Sequence, residues 1–172
     1  MKTENITTQI EGKEFIISRV FDAPRDLVWK AWTEQGRMTQ WWGPKGFNTS
    51  VAKLDLRPGG VLHYGMKSPD GLEMWGRFVY REIVPPERIV FVDSFSDQNC
   101  GVTRHPLSET WPLEVLNVLT LTEQEGKTVV TIKAGPINAT EEEINAFLGG
   151  YESMRKGFAG IFDQLAVHLA KT

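Results

Sequence analysis

The chain has 172 residues, a length that supports one hydrophobic core and predicts a single domain over residues 1–172. Hydrophobic residues make up 41% and charged residues 24%, which is ordinary globular usage and excludes a disordered, coiled-coil or fibrous chain. A net charge of -3 at pH 7 provides no basic field for phosphates, so nucleic acid is not expected as a partner.

The sequence contains no apolar run near the ~18 residues of a membrane span, so no membrane insertion is expected. Residues 1–12 lack the apolar segment of a secretory signal, and we expect a cytoplasmic protein. The polar residues 1–13 predict a flexible N-terminal segment. The single cysteine, Cys100, lies in a polar stretch, which favours an incidental loop thiol over a nucleophile.

The first elements are one strand and two short helices. Residues 15–21 are rich in β-branched and aromatic side chains and predict a strand. Between Pro24 and Gly36, apolar residues recur at helical spacing, which predicts a short helix. Residues 38–42 predict another helical turn before the breakers at 43–46.

From there to about residue 135, short runs alternate with turn sequences, a pattern typical of an antiparallel meander of five or six strands. In residues 61–67, Leu62, Tyr64 and Met66 share one face, which is expected to line the interior. The turns are predicted at residues 57–60, 68–71, 84–87 and 123–126.

Three segments leave alternatives open. Met74 to Tyr80 and Ile89 to Phe95 carry apolar residues on both faces, so the pattern does not fix their register. Residues 97–111 are polar and predict either an ordered surface excursion or a lid.

The last element is the clearest. Thr140 and Glu143 have the spacing of a capping box, which predicts a helix start. Apolar residues then follow at intervals of three and four, predicting one helix of roughly 30 residues and about 45 Å. Close backbone packing is the favoured explanation for the glycines within it, and room for a ligand or a bend is the alternative. These glycines are Gly149, Gly150, Gly157 and Gly160.

Motifs for catalysis, metals and cofactors are missing from the sequence. Dinucleotide-binding, hydrolase-elbow and zinc-protease patterns do not occur, and no metal or cofactor is expected. Asp93 is a weak catalytic candidate, alone or paired with His63, because the flanking Phe91 and Phe95 would bury it and raise its pKa. The three histidines, His63, His105 and His168, are not spaced as metal ligands.

A series of short motifs follows in order along the chain. The series resembles the activator of Hsp90 ATPase homologue family of the START-like (Bet v 1-like, SRPBCC) superfamily over residues 14–170. The motifs are Arg19-Val20-Phe21-Asp22-Ala23-Pro24, Val28-Trp29, Trp41-Trp42-Gly43-Pro44, Arg57-Pro58-Gly59-Gly60, Pro69-Asp70-Gly71 and Pro85-Pro86-Glu87-Arg88.

The resemblance implies an α+β helix-grip fold. In this fold a curved antiparallel sheet of six to seven strands surrounds a long C-terminal helix, with two short helices after the first strand. Relatives in the superfamily hold apolar molecules between helix and sheet, and a few catalyse reactions on them. The chaperone role in the family name belongs to larger eukaryotic proteins with a further domain, so the fold does not give the activity.

We therefore expect a monomer or weak homodimer that binds a small hydrophobic or aromatic molecule without catalysis. An enzyme acting on such a molecule is one alternative. The other is a co-chaperone type of protein interaction, with Trp75 or the Trp41-Trp42 pair as anchors. The predicted ligand-binding residues are Trp41, Leu62, Tyr64, Met66, Phe78, Phe91, Asp93, Tyr151, Met154 and Phe158.

Overall fold

The computed structural model describes residues 6–172, which form eight strands and four helices. The strands are β1 (Ile6–Glu11), β2 (Glu14–Phe21), β3 (Asn48–Leu54), β4 (Val61–Lys67), β5 (Glu73–Val84), β6 (Arg88–Ser96), β7 (Val115–Gln124) and β8 (Lys127–Pro136). The helices are α1 (Arg25–Thr33), α2 (Gln35–Trp41), α3 (Glu141–Gly149) and α4 (Tyr151–Ala170).

The strands form one curved antiparallel sheet in the order β1-β2-β8-β7-β6-β5-β4-β3. The predicted α+β helix-grip class is confirmed, including two short helices between the first predicted strand and the meander. The register that the sequence left open pairs Phe78 of β5 with Asp93 of β6, and it shifts at a bulge between Tyr80 and Glu82. Both Phe78 and Asp93 therefore lie on the concave face of the sheet.

The sheet has more strands than the six to seven expected because residues 6–11 form an edge strand. The sequence predicts a flexible segment over residues 1–13, but β1 pairs with β2 from Ile6 opposite Arg19 to Glu11 opposite Glu14. Most of β1 is exposed, so no apolar alternation marks it. Backbone pairing with β2 forms this strand. Residues 1–5 lie outside the described part of the chain.

Aromatic contacts fix α4 on one side of the concave face. The ring of Phe158 stacks on Phe15 of β2 at 5.9 Å, and Phe162 meets Phe21 edge-on at 5.5 Å. The largest contacts of α4 are with α2, β2, α1, α3 and β1. The helix thus grips the edge that carries β1 and β2 more closely than it grips the centre of the sheet.

The predicted C-terminal helix is two helices. The capping box at its start is confirmed, since the Glu143 backbone N–H donates to Thr140 Oγ1 at 3.1 Å and the Thr140 N–H donates to Glu143 Oε1 at 3.0 Å. The prediction of one continuous helix is wrong, because α3 ends before Gly150, which has φ -88° and ψ 14°. A Cβ at Gly150 would lie 3.0 Å from the Trp111 ring, so the break lies where Trp111 packs against the backbone.

The favoured explanation of the helix glycines holds at Gly150 alone. A Cβ added at Gly149, Gly157 or Gly160 would have no heavy atom within 4 Å among the neighbours it could contact. Close backbone packing therefore does not explain these three glycines, and the prediction was wrong for them.

We expect Gly157→Ala to raise the free energy of unfolding by about 0.5–1 kcal/mol, because alanine restricts the unfolded chain and favours helix. Gly157 is exposed and has open space at its Cβ position. Urea unfolding followed by circular dichroism measures the change. Gly150→Ala is the comparison, and its gain should be smaller because the Trp111 ring must move. A loss of stability in Gly157→Ala would contradict the structure.

Candidate functional site

A cleft lies between α4 and strands β4, β6, β7 and β8, and we term it the Asp93 cleft. It consists of two adjoining lobes of about 180 Å³ and about 290 Å³, both partly open to solvent. The smaller, the tryptophan lobe, is lined by Trp42, Gly43, Pro44, Tyr64, Met66, Asp93, Ser94, Phe95, Trp111, Pro112, Val115 and Ile161. The larger, the helix lobe, is lined by Asp93, Phe95, His105, Trp111, Val115, Asn117, Ala134, Phe147, Ser153, Met154 and Phe158.

Four residues line both lobes and mark where the lobes meet. They are Asp93 and Phe95 of β6, Trp111 of the preceding loop and Val115 of β7. Three of these side chains are apolar or aromatic, and the fourth is a carboxyl group. A molecule spanning the two lobes would pass directly over Asp93.

The Asp93 carboxyl is held inside an apolar wall. Burial raises its pKa to about 7, although hydrogen bonds from the Tyr64 hydroxyl and the Ser94 N–H favour the ionised form and lower the pKa in part. The side chain is surrounded by protein but keeps some accessible surface, because it faces the open cleft. Near neutral pH this group therefore exists in both protonation states.

Tyr64 reaches Asp93 by crossing the strand between them. Tyr64 lies on β4, directly opposite Gly76 of β5, while Asp93 lies on β6. A Cβ at Gly76 would overlap the Tyr64 hydroxyl group, so only glycine leaves room for the phenol to pass. Burial raises the pKa of Tyr64 well above its usual value, and the nearby Asp93 charge raises it further. The phenol thus stays protonated and can donate.

Aromatic rings form the two walls beside Asp93. On one side the Trp42 ring lies 6.0 Å from the Tyr64 ring, perpendicular to it. On the other side Trp111 lies 5.4 Å from Phe147 of α3, and Phe95 lies 4.6 Å from His105. A ligand in this cleft would meet ring faces and edges on both sides.

The segment between β6 and β7 is ordered and supplies one of these walls. The Asp97 carboxylate accepts from the Asn99 and Gly101 N–H groups at 2.8 Å each, which folds the start of the segment. Arg104 Nη1 donates to Glu143 Oε2 at 2.6 Å and ties the segment to α3. Of the two alternatives for residues 97–111, the structure therefore has an ordered excursion whose end, Trp111, covers part of the cleft.

The remaining polar groups of the cleft come from three elements. His105 Nδ1 accepts from the Leu107 N–H at 2.9 Å, so its Nε2 carries the proton in the neutral ring, and burial lowers the pKa of His105 below its usual value. Asn117 is buried on β7, and Ser153 belongs to α4. Cys100 lines neither lobe, and its backbone carbonyl accepts from Arg77.

Half of the predicted ligand-binding residues line the cleft, namely Tyr64, Met66, Asp93, Met154 and Phe158. The others lie elsewhere. The side chains of four are at most 2% exposed and pack into the core, and they are Trp41, Leu62, Phe78 and Phe91. Tyr151 packs edge-on against Phe15, and its hydroxyl forms a 2.7 Å hydrogen bond with Thr8 Oγ1.

The pairing of Asp93 with His63 does not occur. Residue alternation places His63 on the convex face of β4, where its ring stacks on Trp75 at 5.0 Å and its Nε2 lies 3.1 Å from the Asp97 carbonyl oxygen. The Asp93 carboxyl faces the opposite side of the sheet. An acid–base pair between these two residues is therefore excluded.

Sequence reasoning missed most of the cleft lining. Phe95 could have been found, because alternation along β6 places it on the same face as Phe91 and Asp93. Trp41 and Trp42 are adjacent in the sequence, but Trp41 donates its indole N–H to the Ala31 carbonyl oxygen in the core, and only Trp42 faces the cleft. Trp111 lies in an irregular segment, so no periodic pattern marks it.

Within residues 6–172, no group of three or more His, Cys, Asp or Glu side chains could hold a metal ion. In the same range no helix is both long enough and apolar enough to cross a membrane. The polar groups that line the cleft are one carboxyl group, one phenol, one imidazole, the Asn117 amide and the hydroxyls of Ser94 and Ser153, set among aromatic faces.

Asp93→Asn should stabilise the protein more at pH 8 than at pH 5. The folded protein retains the Asp93 proton up to about pH 7, whereas the unfolded chain releases it near pH 3.8. Because folding raises this pKa, the contribution of Asp93 to the free energy of unfolding is lost as the pH rises from about 3.8 to about 7. We expect the advantage of the variant in urea unfolding to grow by about 2.5 kcal/mol between pH 5 and pH 8. Glu123→Gln, which removes an exposed charge from β7, should show no such change. An advantage independent of pH would contradict the raised pKa.

Gly76→Ala should raise the pKa of Asp93 further, because the new methyl group displaces the Tyr64 hydroxyl that favours the ionised carboxylate. Carboxyl-carbon NMR titration of Asp93 measures this shift. Gly65→Ala is the matched control, since its Cβ would meet the Trp75 ring at 2.9 Å on the convex face. Both variants should lose stability, but only Gly76→Ala should move the Asp93 titration. An equal shift in both would mean that Tyr64 has no special part in it.

Solved structures confirm the fold. A protein from Mycobacterium smegmatis is 24% identical with a TM-score of 0.77, over 97% of this chain and 96% of that one. A protein from Arthrobacter aurescens is 23% identical with a TM-score of 0.81, over 98% and 93% of the two chains. A protein from Rhodobacter sphaeroides is 20% identical with a TM-score of 0.78, over 97% and 99%. At these identities the likeness establishes architecture alone.

Sequence comparison gives a family. No curated protein matches the chain. The family model described as activator of Hsp90 ATPase homolog 1-like protein matches residues 22–170, which include α1, α4 and both lobes of the cleft. The chain therefore belongs to the activator of Hsp90 ATPase homolog 1-like family, as the order of its motifs predicted.

Proposed function

We propose that this protein binds a small, largely apolar or aromatic ligand in the Asp93 cleft without transforming it. The observation that carries the proposal is the cleft itself, whose two lobes are open to solvent and lined mainly by aromatic and aliphatic side chains. Sites of this kind, with few polar groups in a concave apolar surface, are typical of small-molecule binding.

The size of the cleft supports moderate affinity. A ligand that buries roughly 300 Å² of apolar surface gains about 7 kcal/mol at 25 cal/mol per Å². Lost translational and rotational freedom offsets part of this gain, which leaves affinities weaker than about 10 μM. Met66 and Met154 line different lobes and can repack around ligands of different shape.

Catalysis on such a ligand is the second candidate, and the pKa of Asp93 favours it. A carboxyl group with a pKa of about 7 in an apolar cleft can accept or donate a proton at neutral pH. Tyr64 could stabilise the charge that develops on a neighbouring oxygen. Chemical change of a ligand recovered from the cleft would favour this reading over simple binding.

A protein-binding role has less support from the anchors that the sequence suggested. Trp41 is 1% exposed, so it cannot serve as an anchor. Trp75 is half-buried and stacks on His63, and Trp42 lines the cleft. The aromatic surface of this protein is directed mainly inward.

Blocking the cleft should weaken ligand binding. Val115 lines both lobes, and Val115→Phe would fill the space where they meet. We expect the neutral fluorescent probe N-phenyl-1-naphthylamine to bind the wild-type protein, and to bind Val115→Phe at least about tenfold more weakly. Fluorescence titration measures both affinities.

Val118→Phe provides the control, because alternation along β7 places Val118 on the opposite face of the sheet. It should keep wild-type affinity for the probe. Equal binding by all three proteins would place the probe outside the cleft and refute the proposal. Independently of the probe, native mass spectrometry of protein purified from its own host would identify any retained molecule.

A further inference from the structure

In the described part of the chain, the Asp93 cleft is lined by an acidic side chain without a basic side chain to balance its charge. Of the residues that line its two lobes, Asp93 is the only acid, and no Lys or Arg of residues 6–172 is among them. The groups that can titrate near Asp93 are Tyr64 from β4 and His105 from the segment before β7. The lining residues of β7, β8, α3 and α4 carry no titratable side chain.

Neither titratable neighbour supplies a positive charge to Asp93 near neutral pH. Burial lowers the pKa of His105, which keeps its imidazole neutral. The Tyr64 phenol stays protonated and can only donate a neutral hydrogen bond. The ionised form of Asp93 is therefore a buried negative charge that the lining residues stabilise incompletely.

Ring systems surround this carboxyl on both sides. Trp42 and Tyr64 lie perpendicular to each other at 6.0 Å on the side of the tryptophan lobe. Trp111 and Phe95 line both lobes next to Asp93. Aromatic faces carry negative potential and attract organic cations, most strongly at tryptophan.

Resting on the binding function proposed above, we infer that the cleft selects ligands with a cationic nitrogen attached to an aromatic or aliphatic body, the nitrogen lying at Asp93. The carboxylate supplies the opposite charge, the tryptophan and tyrosine rings contact the substituents on nitrogen, and the apolar body occupies a lobe. Anionic ligands are disfavoured because they would meet Asp93 without a compensating cation.

Proton linkage follows from this arrangement. A cation binds the ionised form of Asp93 in preference to the neutral form, so binding expels the proton that the free protein holds near neutral pH. If only the ionised form binds, affinity at pH 5.5 should be about 30-fold weaker than at pH 8 for a group with a pKa of about 7. A neutral ligand of the same shape would show no such dependence.

Two probes of the same shape test the inference. Benzyltrimethylammonium carries a permanent positive charge, and neopentylbenzene replaces its nitrogen with carbon. Titration calorimetry or NMR should give at least about tenfold tighter binding of the cation at pH 8, and loss of that preference at pH 5.5. Calorimetry of the cation at pH 7 in buffers of different ionisation enthalpy should also detect proton release.

Asp93→Asn should retain the neutral probe and lose the preference for the cation, with circular dichroism checking that it folds. Glu123→Gln removes the same charge from an exposed position on β7 and should behave as wild type. Binding of neopentylbenzene without preference for the cation would overturn this inference and leave the binding function standing. A cation preference that survives in Asp93→Asn would overturn it as well. Failure of both probes to bind wild type would count against both proposals.

Discussion

The aromatic contact between α4 and β2 sets the shape of the whole interior. Phe158 and Phe162 pack against Phe15 and Phe21, and these contacts hold the helix over the β1 and β2 edge of the curved sheet. Arg19 extends the same attachment, since its Nη1 donates to Asp163 Oδ1 of α4 at 2.8 Å. Because the helix is fixed there, the concave face in front of β6 and β7 is not filled by it, and this leaves the volume of the cleft.

The segment between β6 and β7 then completes the cleft, and the break in the C-terminal helix belongs to the same arrangement. Trp111 packs against Gly150 and Phe147 at the C-terminal end of α3, and it lines both lobes. A continuous helix with a side chain at position 150 would crowd this ring. The bond from Arg104 to Glu143 holds the segment on α3, so one capping residue serves both the helix start and the cleft wall.

The sequence was informative wherever local chemistry decides structure. The capping box at Thr140 depends on two side chains three residues apart, and it forms as predicted. Alternation about Asp93 correctly indicated a carboxyl group flanked by aromatic residues. Sequence patterns failed where a contact between distant residues decides the structure. The helix break at Gly150 is an example, since it lies against Trp111, 39 residues earlier in the sequence.

The remaining differences have similar causes. β1 forms through backbone hydrogen bonds to β2, which any polar sequence can make, so its side chains gave no signal. Trp41 and Trp42 are adjacent and chemically identical, and only tertiary packing sends the first into the core and the second into the cleft. Phe78 and Phe91 stack on each other at 4.1 Å as part of a filled core. The strand pattern could not exclude them from the lining, because it gives the face on which a residue lies and not the neighbours it packs against.

Asp93 occupies a position where an apolar residue would suit the free protein better. Burial raises its pKa, so above about pH 7 the ionised carboxylate reduces the stability of the empty protein. The hydrogen bond from the Tyr64 hydroxyl, for which Gly76 leaves space, offsets only part of this loss of stability. A ligand that satisfies the carboxylate would remove the rest, and the free energy released would appear as affinity and as added stability of the complex.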